Sequence, residues 1–400
     1  MRSEDYRADK TRPFTGAEYM ASLRDGREVY INGEKVKDVT THPAMRNSVR
    51  SLARMYDALH DEKTKAILTS PTDTGSGGYT HKYFRVAKSS QDLVAQQGAI
   101  AEWARMSYGW MGRTADYKAA LMNTLGANAD WYGPFKENAQ AWHTRAQESV
   151  LFMNHAIVNP PIDRHKPAEA VKDVFVHITK ETDAGIYVTG AKVVATSSAL
   201  THYNFLAQSS ATVTEDPSLS VMFIVPMNAP GIKMFCRVSY EETANTVGHP
   251  FDYPLSSRFD ENDAILVLDN VFIPWEDVLV LRDARKILSF HPASGFMHGY
   301  CFQGCTRLGV KMDFLAGLLA KALRATGGDA FRGNQALLGE VIAIRHQFWA
   351  FSNAMAYNPI PWAGGAVLPN LEAALCYRTF MSEAYPKVID IVRRTVASGL

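Results

Sequence analysis

The sequence predicts an α+β protein in which a mainly helical segment, an all-β segment and a second helical segment follow one another. Three observations predict this order. Apolar residues recur at three- and four-residue spacings up to about residue 150, alternate with polar residues from about residue 171, and return to helical spacing after about residue 286. A chain of 400 residues exceeds one small core, so we expect domains at 1–150, 151–283 and 284–400.

The first segment combines several helices with a short hairpin. Asn32-Gly33 follows the apolar run 29–31, and this dipeptide suits a tight two-residue turn. The glycine-rich stretch 73–78 is expected to be a loop and not a dinucleotide-binding fingerprint, because no apolar strand leads into it and its spacing is wrong. Helices are predicted at 15–24, 47–59, 91–111, 117–125 and 139–152.

The middle segment has the short alternating runs of a small β-barrel or sandwich, and the last segment returns to helices. Strands are predicted at 174–178, 186–196, 204–213, 219–225, 231–238 and 264–273. Helices are predicted at 312–325, 335–358 and 371–396, with a kink expected at Pro386 in the last of them.

Bulk composition excludes several classes of function. The 42 basic and 41 acidic residues leave a net charge of +1, which gives no electrostatic reason for binding nucleic acid or an anionic membrane. The sequence has no signal-peptide pattern and no apolar run near the roughly 20 residues of a membrane span. Four cysteines do not make a disulfide framework, so we expect a cytoplasmic protein.

Two stretches of the β segment resemble the acyl-CoA dehydrogenase superfold, whose layout is also helical, β, helical. DAGIYVTGAK at 183–192 is similar to a hairpin of that superfold, and LDNVFIPWEDVL at 268–279 resembles the exit of one of its strands. The resemblance implies a flavin bound in a groove. It does not specify a reaction.

Six further blocks resemble the 4-hydroxyphenylacetate hydroxylase family of two-component aromatic monooxygenases. They are RPFTG at 12–16, DVTTHP at 38–43, TDTGSGGYTH at 72–81, YGWMGRTADY at 108–117, NHAIVNPPIDR at 154–164 and YPLSSRFDEND at 253–263. Because they spread over most of the chain, chance does not explain them. Family members extend further toward the C-terminus, so we expect the C-terminal bundle to be incomplete in this chain.

The family resemblance implies an oxygenase component that uses FAD as FADH2, with O2 as co-substrate and a separate NAD(P)H:flavin reductase as partner. The implied reaction is ortho-hydroxylation of a para-substituted phenol through a flavin C4a-hydroperoxide. The best expectation is conversion of 4-hydroxyphenylacetate to 3,4-dihydroxyphenylacetate. Another phenol, a chlorophenol or 4-coumarate remains open as substrate. A homotetramer is implied, without nucleic-acid or membrane partners.

The same resemblance implies that Arg113, Tyr117 and His155 bind the substrate and carry the chemistry. Arg113 and Tyr117 are four residues apart, which in a helical turn puts both on one face. A fixed cation favours a phenolate, and a neutral histidine can accept the phenolic proton. Tyr117 can donate a hydrogen bond to the same oxygen. Arg113 alternatively steadies the flavin peroxide, and the sequence does not separate these roles.

Flavin contacts are implied for His155, Thr196 and the residues Pro161, Ile162, Asp163 and Arg164. The structural alternative is a helix-to-strand connector at 161–164 and a strand-end hydroxyl at Thr196. Ser209 and Ser210 are expected to contact the side chain of the substrate, or else to be polar residues of a β edge.

Three rival interpretations are less favoured. Cys301 and Cys305 suggest a metal pair with His298, but cysteines at this spacing in an apolar helix are more often core residues, and no metal is predicted. A dehydratase-like enzyme with an iron–sulfur cluster would take cysteines from the N-terminal segment, whereas the first cysteine here is Cys236. A binding protein without activity is disfavoured by the joint presence of Arg113, Tyr117 and His155.

Overall fold

The computed structural model describes residues 2–162, 165–166, 168–208 and 216–396. The chain divides into two compact units. The mixed unit comprises Met1–Arg85 and Arg113–Phe296, and the helical unit comprises Val86–Gly112 and Met297–Leu400. This division into two units does not test the three domains predicted from the sequence, and their boundaries stay a prediction.

The described helices and strands follow the predicted order of helical, β and helical segments, so the fold class is confirmed. The helices are α1 (Gly16–Ser22), α2 (Arg46–Ala58), α3 (Glu62–Leu68), α4 (Ser90–Arg105), α5 (Ala115–Ala127), α6 (Lys136–Ser149), α7 (Tyr240–Val247), α8 (Ala284–Ala293), α9 (Phe296–Thr326), α10 (Arg332–Tyr357) and α11 (Leu371–Val396). The strands are β1 (Glu28–Ile31), β2 (Glu34–Val36), β3 (Thr69–Pro71), β4 (Tyr79–His81), β5 (Met153–Ala156), β6 (His177–Thr182), β7 (Gly185–Lys192), β8 (Tyr203–Leu206), β9 (Val221–Pro226), β10 (Ile232–Cys236), β11 (Ala264–Pro274), β12 (Val278–Leu281), β13 (Ile360–Pro361) and β14 (Val367–Leu368).

Two main sheets form most of the β part of the mixed unit, beside the two-stranded sheet of β3 and β4. The larger has the strand order β2-β1-β10-β11-β7-β6, and the smaller has the order β12-β9-β8-β5. The predicted N-terminal hairpin is confirmed, with Asn32 and Gly33 both at positive φ. Its strand β1 pairs in parallel with β10, which the sequence did not predict. The rings of Tyr30 and Phe235 stack across this pair with centroids 5.1 Å apart.

The segment that carries His155 is a strand and not the continuation of a helix. The helix predicted to run to Phe152 ends at Ser149, because Val150 adopts a left-handed conformation with φ 52°. The chain then forms β5, which pairs in parallel with β8 and sets His155 opposite Phe205. This parallel pair joins residues about fifty positions apart, a contact that local sequence patterns do not encode.

Some other boundaries also differ from the predictions. The strand predicted at 174–178 corresponds to β6. It starts at His177 and not at 174, because Phe175 forms only an isolated bridge to Ala191. The helix predicted to reach 111 stops at Arg105. The glycine-rich loop at 73–78 is confirmed as the connection between β3 and β4.

The helical unit contains α4, α10 and α11 with most of α9. Ser352 on α10 is fully buried and hydrogen-bonds both Gln97 on α4 and Thr306 on α9, each at 2.7 Å. The helix α11 includes Pro386. Among the described residues, no helix has both the length and the apolar character that crossing a bilayer requires.

Candidate active site

The start of α5 and the strand β5 bring the three predicted catalytic residues together in the mixed unit. Arg113 precedes α5, Tyr117 lies in its first turn, and His155 lies in β5. The backbone N–H of Arg113 donates to the carboxylate of Glu261, which fixes the entry to the helix. The rings of Tyr117 and His155 have centroids 5.8 Å apart.

Arg113 meets Tyr117 in a different way from the one predicted. The sequence interpretation put both residues on one helical face, but α5 begins at Ala115, so Arg113 lies outside the helix. Its guanidinium carbon instead lies 4.1 Å from the centroid of the Tyr117 ring, a cation–π contact. Tyr117 is 6% exposed and Arg113 is half-buried, so this cation is held at the edge of the protein interior.

Lys118 is a site residue that the sequence analysis missed. Its Nζ lies 2.6 Å from Nδ1 of His155, and the side chain is fully buried. The nitrogen also lies 4.1 Å from the ring centroid of Phe296 and 5.9 Å from that of Phe205. The sequence signal that could have identified Lys118 is its position between apolar residues of a helix. A lysine is rarely fully buried without a functional or charged partner.

The electrostatics of the site favour neutral forms of both nitrogen groups. Burial lowers the pKa of His155 well below its usual range, and the nearby charges of Lys118 and Arg113 and the ring of His291 lower it further. Burial and then the charge of Arg113 hold the pKa of Lys118 well below its usual range. The surrounding aromatic rings attract a cation and partly oppose these effects.

The basic side chains of the site have no salt-bridge partner within the part of the chain that the structure describes. Within the described ranges, neither the guanidinium of Arg113 nor the amine of Lys118 forms a salt bridge. A site that holds basic groups without acidic partners is suited to a ligand that carries or develops negative charge. A phenol that ionises to a phenolate is such a ligand.

Asn154 connects Arg113 to Thr196. Its side-chain N–H groups donate to the backbone oxygen of Thr196 at 2.9 Å and more weakly to that of Arg113 at 3.4 Å. Its amide oxygen is buried and has no hydrogen-bond partner among the described residues. The sequence analysis quoted Asn154 within a family block and assigned it no role.

The predicted flavin-binding residues are only partly described. Thr196 is half-buried, and its hydroxyl donates to Asp263 at 2.5 Å. Pro161 is exposed and Ile162 is half-buried, in a stretch without regular structure. Asp163 and Arg164 lie outside the described residues, and so do the predicted substrate contacts Ser209 and Ser210.

The surface beside Thr196 has features that fit a flavin. The backbone N–H of Val193 donates to the oxygen of Val158 at 2.9 Å, which joins the segment after β5 to the segment after β7. Val158 and Val194 remain 49% and 56% exposed there. Exposed apolar side chains next to Thr196 and the unpartnered oxygen of Asn154 combine the apolar surface and polar contacts that a flavin ring needs. These residues therefore fit the cofactor.

The cysteine pair has no part in this site. Cys301 and Cys305 lie in the helical unit, both are fully buried, and the thiol of Cys305 donates to the backbone oxygen of Phe348 at 3.2 Å. The interpretation of these cysteines as core residues is confirmed. No cluster of potential metal ligands occurs within the parts of the chain that the structure describes.

Comparisons with known proteins agree with this site. The models of the 4-hydroxyphenylacetate 3-hydroxylase N-terminal and C-terminal regions match residues 15–280 and 288–400. A 4-hydroxyphenylacetate 3-monooxygenase oxygenase component from Pseudomonas aeruginosa is 58% identical over all of this chain and 77% of its own length. A 4-nitrophenol 2-monooxygenase oxygenase component from a Rhodococcus species is 55% identical over 97% of this chain and 74% of its own length.

One solved structure extends the comparison to three dimensions. The crystal structure of a 4-hydroxyphenylacetate 3-monooxygenase oxygenase component complexed with FAD and 4-hydroxyphenylacetate is 29% identical to this chain. It superposes with a TM-score of 0.90 and covers 96% of this chain and 80% of its own. On the family models, the sequence identities and the shared structure, the chain belongs to the 4-hydroxyphenylacetate 3-hydroxylase family.

Proposed function

We propose that this chain is an oxygenase component that hydroxylates a para-substituted phenol at the position ortho to its hydroxyl, using O2 and reduced FAD. The best expectation for the substrate is 4-hydroxyphenylacetate, which would give 3,4-dihydroxyphenylacetate. The observation that carries the proposal is the cluster of Arg113, Tyr117 and His155, in which Tyr117 is buried, Arg113 and His155 are half-buried, and the guanidinium of Arg113 forms no salt bridge within the described residues.

The proposed catalytic roles follow from this geometry. The guanidinium of Arg113 favours the phenolate over the phenol, because a fixed cation lowers the pKa of a neighbouring acid. A neutral His155 accepts the phenolic proton, and Tyr117 donates a hydrogen bond to the same oxygen. Phe205 and Phe296, whose rings lie near Lys118, exclude water from the space that an aromatic substrate would fill.

The proposed cofactor site is the surface next to these residues. Thr196, the oxygen of Asn154, and residues 161–164 would hold FAD, and Ser209 and Ser210 would contact the side chain of the phenol. When bound in its reduced form, FAD supplies the electrons that activate O2 for transfer of one oxygen atom to the ring. The protein residues bind and orient the phenol, remove its proton and keep water away.

The proposed partners are a separate NAD(P)H:flavin reductase and further copies of the chain. The sequence has no G-x-G-x-x-G fingerprint with which to bind a nicotinamide cofactor, so we expect reduced flavin to come from the separate reductase. We propose a homotetramer, in the cytoplasm, with closed symmetry as is usual for soluble oligomers. Light scattering would test the assembly, and a monomer would contradict it.

A second phenol remains a specific alternative. The identities of 58% and 55% to oxygenase components named for 4-hydroxyphenylacetate and 4-nitrophenol are too similar to choose between these substrates. Both phenols carry a substituent para to the hydroxyl, so the proposed recognition of the phenolic oxygen is common to them. The residues that contact the para substituent decide the preference.

The test is to supply chemically reduced FAD, oxygen and a panel of para-substituted phenols to the purified chain, and to identify the products. We expect catechols, with 4-hydroxyphenylacetate giving the highest kcat/KM. A higher kcat/KM for 4-nitrophenol would favour the alternative substrate. If no phenol of the panel is hydroxylated, the proposed function is wrong.

A further inference from the structure

A buried lysine and a half-buried histidine form a hydrogen-bonded pair beside the predicted phenol site. Nζ of Lys118 and Nδ1 of His155 lie 2.6 Å apart, and Lys118 is fully buried. Because Nδ1 is engaged in this way, Nε2 is the ring nitrogen of His155 that remains for a ligand. The groups around the pair that carry or gain charge are Arg113, Tyr117 and His291.

A neutral lysine amine can accept from Nδ1–H or donate to the Nδ1 lone pair, whereas an ammonium can only donate. Two of these arrangements are the start and the end of a proton transfer. In the first, Lys118 is a neutral amine that accepts the Nδ1–H proton, and Nε2 of His155 has a free lone pair. In the second, Lys118 is an ammonium that donates to Nδ1, and Nε2 carries the proton. Only the first arrangement allows His155 to act as a base toward a phenol.

The surroundings favour the neutral arrangement in the absence of substrate. Lys118 forms no salt bridge within the described part of the chain, and the guanidinium of Arg113 already places one positive charge 4.1 Å from the centroid of the Tyr117 ring, which Nζ of Lys118 approaches to 5.3 Å. A buried ammonium without a counter-ion is costly. A phenolate in the site would supply the missing negative charge, and it would then favour the second arrangement.

We propose that Lys118 is a positioning residue that fixes the tautomer of His155 and takes up, through it, the proton of the bound phenol. The phenolic O–H bond breaks and its proton moves to Nε2 of His155. The Nδ1–H proton moves to the amine of Lys118, so the pair gains one proton and the phenol becomes a phenolate. No electrons are transferred, and the proton returns to the hydroxylated product when it leaves. This role rests on the proposed function.

The test uses 4-nitrophenol, whose phenolate absorbs visible light and whose neutral form does not. It is titrated with pH while bound to the flavin-free protein, which reports ionisation directly and without turnover. We expect the bound phenol of the wild type to ionise at lower pH than free 4-nitrophenol. In Lys118→Met the ionisation midpoint should rise by at least about one pH unit, which corresponds to a tenfold loss of phenolate stabilisation.

Two further variants separate proton uptake from simple packing. Lys118→Gln keeps a polar atom that can accept from Nδ1 but cannot take a proton, so its midpoint should rise as well while its KM for the phenol stays near the wild-type value. The matched control is Lys286→Met. Lys286 is half-buried beside an aromatic ring, with Nζ 2.6 Å from the oxygen of Trp131, and none of its described contacts is with Arg113, Tyr117 or His155.

The outcomes distinguish this inference from the proposed function. Raised midpoints and a lowered kcat in both Lys118 variants, with Lys286→Met unchanged, would support the role of Lys118. Wild-type midpoints in folded Lys118→Met and Lys118→Gln proteins that still form catechols would overturn this role and leave the proposed function standing. A wild-type protein that neither binds 4-nitrophenol nor hydroxylates any phenol would overturn both.

Discussion

The imidazole of His155 is the residue on which the proposed chemistry depends most, because it must be neutral to accept a proton. Its pKa is held well below the usual range by burial first, and then by the charges of Lys118 and Arg113. The same cations that would stabilise a phenolate therefore also keep the base in its active form. Stabilisation of the phenolate and the lowered pKa of His155 both favour removal of the phenolic proton, and Arg113 contributes to both.

Replacing Arg113 by glutamine should change the pH dependence as well as the rate. Removing the cation allows the pKa of His155 to rise toward its usual value, so its protonated, inactive form persists to higher pH. The acid limb of kcat, followed as catechol formation with pre-reduced FAD between about pH 5 and pH 8, should move to higher pH. Tyr117→Phe keeps every charge, so its acid limb should match the wild type. An unmoved limb in Arg113→Gln would contradict this electrostatic account.

The residues themselves were predicted more completely than their contacts. Arg113, Tyr117 and His155 were named from the family blocks, and the structure brings them together. Lys118 was missed although it follows Tyr117 directly, because its significance lies in a contact with a strand 37 residues further along the chain. The prediction that Arg113 and Tyr117 share one helical face was wrong, because periodicity does not locate the start of a helix to within one residue.

At the scale of elements, β5 and α5 are the parts that hold the site. The identity of β5 as a strand depends on its pairing with β8, which is a tertiary contact. The hairpin β1–β2 was predicted from Asn32-Gly33 because its turn is local, but its place next to β10 was not. A tight turn can thus be predicted from the local sequence, whereas the parallel pairing of distant strands cannot.

The helix α2 depends on an acidic residue from a distant helix. Glu241 on α7 is fully buried, and its carboxylate accepts from the backbone N–H groups of Asn47 and Ser48 at 3.0 and 3.2 Å. These are first-turn donors of α2, so Glu241 acts as its N-terminal cap. Glu241→Ala should lower the free energy of unfolding by about 1 kcal/mol, measured as a lower thermal midpoint.

The ionisation of Glu241 gives this cap a pH dependence. Burial raises the pKa of Glu241 to about 7, above the ordinary value of 4.5. Its contribution to stability is therefore fully present below pH 4.5 and is lost as the pH rises through 7. The thermal midpoint of the wild type minus that of Glu241→Gln should fall over this range. A flat difference for Glu241→Gln would contradict the assignment.

At the scale of the whole molecule, the site residues described so far all lie in the mixed unit. Arg113, Tyr117, Lys118, His155 and Thr196 belong to Arg113–Phe296, the second of its two chain segments. The helical, β, helical order was predicted from the changing periodicity, and it is confirmed. The pairing of the first hairpin with β10 could not be predicted from local sequence patterns, because it joins chain segments that are about two hundred residues apart.

The chain as a whole should not reduce flavin. With no nicotinamide-binding fingerprint, purified protein given NADH and oxidised FAD should form no catechol, whereas the same protein given chemically reduced FAD should form it. NADH consumption is followed at the same time by absorbance. Substantial NADH oxidation by the protein alone would contradict the proposed dependence on a separate reductase.

The most direct test of the proposed site is the amount of catechol and of hydrogen peroxide formed per reduced FAD consumed, in the wild type and in three variants. His155→Ala should slow catechol formation roughly a hundred- to ten-thousand-fold, as expected for loss of a positioned acid–base group. Arg113→Ala should lose at least as much, and hydrogen peroxide should rise in both because the reduced flavin is oxidised without hydroxylating the phenol. Tyr117→Phe loses one hydrogen-bond donor and should be the mildest. Catechol yields near the wild-type value in His155→Ala and Arg113→Ala, with both folded by circular dichroism, would contradict the account.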